Sequence, residues 1–105
     1  SVLRALARWD STLLLTYSEF GRRAGENASR GTDHGTASVV FASGGRVAGG
    51  LYGAAPRLDR LDGNGNLAHN VDFRRIYADV LEHWWGLRGS DVLGRRFEPV
   101  GFLRA

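Results

Sequence analysis

Three side chains in the first third of the chain have the types and spacing to bind a cation. They are Glu19 in Ser18-Glu19-Phe20-Gly21-Arg22, and Asp33 and His34 in Gly31-Thr32-Asp33-His34-Gly35. A hard carboxylate oxygen beside an imidazole nitrogen suits zinc, manganese or iron. Glycines on either side allow tight turns, so short side chains can converge on one point. The same stretch holds Arg22 and Arg23, whose planar forks match two oxygens of an oxyanion. Each feature also has a plainer reading. An Asp-His pair in a glycine-rich loop also forms turns held by local hydrogen bonds. Glu19 could pair with Arg22 or Arg23 at the surface, and both arginines could simply be solvated.

These residues need elements to position them. Two short apolar runs flank the polar segment from Ser18 to Gly35: Thr12–Tyr17 (TLLLTY) and Ala37–Ala42 (ASVVFA). Their length predicts strands buried on both faces, as in a parallel sheet covered by helices. Ligands of open α/β sheets bind beyond the carboxyl ends of strands, and Glu19 stands at such an end. A loop this long is usually functional or mobile. Val2–Trp9 reads as the end of a helix, with Leu3, Leu6 and Ala7 on one face and a break at Asp10-Ser11. Arg46–Tyr52 reads as either a short bulged strand or an irregular segment. The strongest pattern comes later. Phe73, Ile76, Tyr77, Val80, Leu81, Trp84 and Trp85 recur at three- and four-residue steps, which predicts a long helix over Val71–Trp85. Asn70 suits its N-cap, Asp72 its first turn and Gly86 its end. Phe73, Ile76, Tyr77, Val80, Leu81 and Trp84 should be buried. Ser90–Ala105 reads as irregular, with Val92, Leu93, Phe97, Val100 and Phe102 available to pack. The pattern predicts one α/β domain over residues 1–105, a small partial sheet of two to three strands packed by a long C-terminal helix.

Composition excludes several classes. There is no cysteine, hence no disulfide and no thiolate zinc site. No apolar run approaches the roughly 20 residues of a membrane helix. Ser1-Val2-Leu3-Arg4-Ala5 lacks a signal-peptide pattern. All 14 basic residues are arginine, yet the net charge is only +3. The arginines are scattered, in pairs at Arg22-Arg23, Arg74-Arg75 and Arg95-Arg96, rather than gathered on one stripe, so nucleic acid is not an expected partner. Asp62-Gly63-Asn64-Gly65-Asn66 has the look of a calcium loop. The sixth and twelfth positions, however, hold Leu67 and Phe73, where an EF-hand needs glycine and glutamate. Trp84-Trp85 at helical spacing reads as core or as a subunit contact. His69 and His83 are isolated and read as ordinary polar residues.

Several motifs in order carry a resemblance. TLLLTYSEFGRR, then GTDHGTA, then GGRVAGGLYG resemble the C-terminal part of the bacterial family called "domain of unknown function 1501". DFRRIYADVLEHWWGL fits that family's final helix, and the likeness runs from about Asp10 to Phe102. The family is similar to the alkaline phosphatase and sulfatase superfamily, which hydrolyses phosphate or sulfate esters with bound divalent metals. The resemblance implies the C-terminal segment of a larger α/β protein, a fragment of an alkaline-phosphatase-like core. In that superfamily a buried strand ends in a Ser/Ala-Asp-His-Gly motif. Ser18-Glu19-Phe20-Gly21 occupies its place, with Glu19 for the aspartate and Phe20 for a histidine. His34 matches a further metal histidine before the next strand. The implied cofactor is one divalent metal, zinc or manganese, on Glu19, Asp33 and His34, with Arg22 and Arg23 toward the oxyanion. Nothing here resembles the segment that carries the superfamily's nucleophile, so the chain alone is expected to be inactive. The implied partner is the upstream part of the parent chain or a second copy. The implied location is periplasmic or secreted, because family members often carry twin-arginine export signals. The alternative is a non-catalytic, partner-binding domain derived from that superfamily, and Phe20 favours it.

Overall fold

A computed structural model describes residues 2–104. It divides into two compact units. The first comprises residues up to Leu14, Ala42–Tyr52 and the chain from Val71 onward; the second comprises Leu15–Phe41 and Gly53–Asn70.

The first unit opens with helix α1 (Val2–Ala5) and a 3-10 turn at Trp9–Ser11. Helix α1 stops early because Ala7 takes a left-handed backbone, φ 54°. The expected break at Asp10-Ser11 lies inside the 3-10 turn instead. Strand β1 (Leu13–Leu15) pairs with β4 (Ala42–Gly44) in a two-stranded antiparallel sheet. Beyond β4 the chain turns sharply at Gly45, whose N–H donates to the Trp9 carbonyl. A Cβ on Gly45 would lie 2.8 Å from the Asp10 Cα, so only glycine permits this approach. Arg46–Tyr52 adopts the irregular alternative, with one bridge between Val47 and Leu103. Around that bridge the Ala48 N–H donates to the Phe102 carbonyl at 2.8 Å, and the Arg104 N–H to the Arg46 carbonyl at 2.7 Å.

Helix α2 (Phe73–Asp79) is short and continues into a π-helical turn, Val80–Trp84. The expected long α-helix is therefore not formed. Asp72, not Asn70, is the N-cap, its side chain accepting from the Arg74 N–H. Asn70 instead clamps Ala54, accepting from its N–H and donating to its carbonyl. Gly86, with φ 67°, ends the segment as anticipated. A further helix, α3 (Gly89–Leu93), occupies part of the tail that was expected to be irregular. The core consists of Ala78, Leu81, Phe97, Phe102 and Leu103. Of the predicted helix stripe only Leu81 is buried. Phe73 and Tyr77 are 59% and 41% exposed, and Ile76, Val80 and Trp84 are half-buried.

The second unit is built on a ribbon, β2 (Gly21–Arg22) antiparallel to β3 (His34–Gly35). A second tie links the Thr16 N–H to the Phe41 carbonyl, and a bridge between Leu61 and Leu67 closes the Asp62–Asn66 turn.

The expected strand Thr12–Tyr17 thus shrinks to β1, residues 37–41 of the expected strand Ala37–Ala42 form no strand and only Ala42 enters β4, and the sheets are antiparallel. The runs TLLLTY and ASVVFA are not buried on both faces either. Leu14 is 63% exposed, and Val39 and Phe41 are 69% and 70% exposed. A two-stranded ribbon leaves edges and faces open that a covered parallel sheet would bury. No helix among the described residues is long and apolar enough to cross a membrane.

Candidate functional site

The two motifs that drew attention in the sequence are paired directly. The ribbon sets Gly21 opposite Gly35 and Arg22 opposite His34. The Arg23 N–H donates to the Asp33 carbonyl at 3.0 Å and continues the ladder by one step. Glycine makes this close pairing attainable. A Cβ on Gly21 would fall 1.5 Å from the Ala37 carbonyl oxygen, and one on Gly35 would fall 2.7 Å from the Arg22 carbonyl carbon. No other residue fits either place without backbone movement.

Extended backbone points successive side chains to opposite faces. Phe20, Arg22 and His34 consequently share one face of the ribbon. The Phe20 and His34 rings stack with centroids 3.6 Å apart and planes 13° from parallel. The Arg22 guanidinium lies over the Phe20 ring at 5.1 Å, a cation–π contact. It also donates to the Thr32 carbonyl at 2.8 Å. Phe20 thus meets His34 as a stacking partner.

Asp33 precedes His34 and so turns to the other face. Its Oδ1 accepts from Asn27 Nδ2 at 3.1 Å. Asn27 in turn accepts from the backbone N–H groups of Ser29 and Gly31, so the loop between the two strands is held by its own amides. The Ser18 hydroxyl donates to the Phe20 carbonyl at 2.6 Å. Glu19 is exposed, and its carboxylate has no hydrogen bond or ion pair among the described residues. Arg23 is half-buried, with its Nε shielded from solvent and without an acceptor. The structure therefore brings His34 to Phe20 and Arg22, and does not bring Glu19, Asp33 and His34 to one point. Among the described residues no three His, Asp or Glu side chains are close enough to hold a metal ion.

The Asp62–Asn66 segment resolves into a turn folded around its own carboxylate. Asp62 accepts from the backbone N–H groups of Asn64 and Asn66 and from Asn66 Nδ2. Hydrogen bonds from the Asn66 backbone and side chain, then from Asn64, hold the carboxyl below its usual range, with Arg23 adding electrostatic attraction. Amide donors thus take up the oxygens that a calcium ion would need.

A second group escaped the sequence reading. Asp79, the last residue of α2, is fully buried. Its Oδ1 lies 2.8 Å from His83 Nδ1, and its Oδ2 accepts from the Gly101 N–H at 2.6 Å. Arg46 reaches the same turn, donating to the His83 carbonyl with its guanidinium 5.0 Å over the Trp84 ring. The available signal was an aspartate four residues before a histidine on a predicted helix, a spacing that places both on one face.

The fold is thus a small mixed one of short helices and two antiparallel ribbons, with a histidine-bearing, glycine-set ribbon as its motif site. The model of the family described as protein of unknown function (DUF1501) matches residues 2–95, and the chain belongs to that family. No curated protein and no solved structure matches the chain.

Proposed function

We propose that this chain is part of a larger protein built like the metal-dependent phosphate and sulfate ester hydrolases, that it forms one wall of the site, and that it cleaves no ester alone. The observation that supports this is the ribbon pairing. Two motifs that resemble consecutive metal-site segments, separated by a long polar loop, lie opposite each other in the structure. In this reading His34, Asp33 and Glu19 offer donors to a divalent metal, zinc or manganese, and Arg22 and Arg23 are the candidate arginines for the ester oxyanion, Arg22 being the one on the His34 face. These donors do not converge on one point, so no bond-breaking step is assigned to them. A bound metal would polarise the ester and activate a nucleophile, and both need groups beyond those the ribbon supplies. Leu14, Tyr17, Val39 and Phe41, all more than 60% exposed, are suited to cover by the remaining sheet of the parent or by a second copy.

The test is an aryl phosphate and aryl sulfate assay with added zinc, manganese or magnesium. The isolated chain should show no turnover above background, and the parent protein should carry metal that is lost in His34→Ala. Turnover by the isolated chain that disappears in Asp33→Ala would overturn the reading.

One observation favours a second reading, a non-catalytic domain of the same descent that binds a partner. The Phe20–His34 stack places an aromatic ring where a ligand is needed. Metal analysis of the parent separates the two, because the second reading expects none bound.

A further inference from the structure

We propose that Asp79 and His83 form a carboxylate–imidazole dyad that presents His83 Nε2 as a ligand for one coordination position of a borderline divalent cation such as zinc. Water, or groups outside this chain, would fill the other positions. The inference is independent of the ribbon and of the function proposed for it.

The geometry fixes the roles. Asp79 is fully buried, and burial of a carboxylate is costly unless its oxygens are hydrogen-bonded. Both are. Oδ2 takes the Gly101 N–H, and Oδ1 faces His83 Nδ1 at 2.8 Å. An ionised carboxylate only accepts, so opposite ionised Asp79 the Nδ1 carries the hydrogen, and in the neutral ring the lone pair sits on Nε2. The His83 side chain is 44% exposed. Since Nδ1 faces a buried group, the exposed edge is the Nε2 edge, and Nε2 has no partner among the described residues. The backbone is held as well. Arg46 binds the His83 carbonyl, and the π-helical turn Val80–Trp84 is a geometry that recurs at functional sites. Metal-binding histidines almost always give their second ring N–H to a carboxylate or carbonyl, which fixes the ring and raises its basicity.

The chain's other two histidines provide internal controls. His34 is stacked on Phe20 and His69 is exposed in a loop; neither has a side-chain hydrogen bond to a carboxylate among the described residues. His83 alone combines a buried carboxylate with an open nitrogen.

Side-chain nitrogen NMR of the whole chain, titrated with zinc chloride, tests the proposal. In the metal-free chain, the neutral form of His83 should be the Nδ1–H tautomer. Zinc should shift His83 Nε2 before it shifts His34 or His69. Asp79→Asn should turn its amide N–H toward Nδ1, flip His83 to the Nε2–H tautomer and weaken zinc binding about 10- to 100-fold. Should Asp79→Asn unfold the chain, His83→Gln decides, because it keeps a hydrogen-bond donor for Asp79 and should remove the tightest zinc event. An Nε2–H tautomer in the parent chain overturns the proposal. So does zinc binding first at His34 or His69, or zinc affinity unchanged in folded Asp79→Asn or in His83→Gln. First binding at His34 would at the same time support the ribbon reading, so the two fail separately.

Discussion

The ribbon around His34 and the helical segment around Asp79 hold their histidines by opposite means. In the ribbon, backbone pairing and missing Cβ atoms set the geometry, and the displayed side chains lie on top of it, exposed or stacked. Around Asp79, one fully buried side chain ties a helix to a distant backbone N–H and aims an imidazole outward. A backbone-built site tolerates changes in its displayed side chains and fails when a glycine gains a methyl. A side-chain-built site fails when the one buried group is lost. Substitutions in each region should therefore give contrasting profiles.

The largest effect is expected at Phe102, which is 5% exposed in the core. Phe102→Ala should cost about 3–5 kcal/mol in urea unfolding, with hydrogen-exchange protection lost across residues 73–103. Asp79→Ala should cost about 1.5–3 kcal/mol, because it removes the charge-assisted hydrogen bond from the Gly101 N–H and the contact with His83. A loss below the noise of the unfolding curve would show that the dyad does not anchor the tail. Gly21→Ala comes next, at about 1–3 kcal/mol. Its added carbon cannot coexist with the Ala37 carbonyl, so amide protection at Arg23 should vanish while that of Leu81 persists. Protection unchanged at Arg23 would refute the ribbon. Asn27→Ala removes the acceptor of two loop amides and a donor to Asp33, with an expected loss of about 1 kcal/mol.

The smallest effect is one of pH. Asp62 is held below the ordinary carboxyl value of 3.8, chiefly by hydrogen bonds from Asn66. A group with a lowered folded value stabilises the fold fully above its unfolded value, and the contribution disappears as pH falls through the folded one. The Asn64 and Asn66 amide resonances should hence hold steady down to about pH 4 and move only below it. Asp62→Asn should abolish that movement.

Part of this was legible in the residues. Gly86 as a helix stop, Leu81 as core and the helical character of Phe73–Trp84 follow from spacing and backbone preference, which act locally. The antiparallel ribbons were not legible. Apolar runs such as TLLLTY report how much surface asks to be buried, not how many strands are present to bury it. The end of β4 passes close to the Thr12 and Asp10 backbone at Gly44 and Gly45, an approach that no periodicity reveals. The helix stripe is less buried than its spacing predicts for a related reason. Three- and four-residue spacing presumes an α-helical phase through Trp84, but the turn from Val80 widens, and Phe97, Phe102 and Leu103 from the tail supply the core instead. At the motif site, Asp33 and His34 looked like a pair because they are adjacent. Adjacency in extended backbone separates side chains, so the neighbours of His34 are Phe20 and Arg22 across the ladder.

The strap between Arg46 and the tail has a consequence in time. Its hydrogen bonds join residues 58 positions apart, whereas Arg22 reaches Thr32 across only 10. Closing the longer loop costs about 1.6 kcal/mol more in chain entropy, and contacts of long sequence separation slow folding. The ribbon can form as soon as its own residues are available. The core containing Phe102 and Leu103 depends on the longer closure, which brings Arg104 back to Arg46. In refolding, amide protection at Arg23 should therefore appear before protection at Ala48 and Arg104.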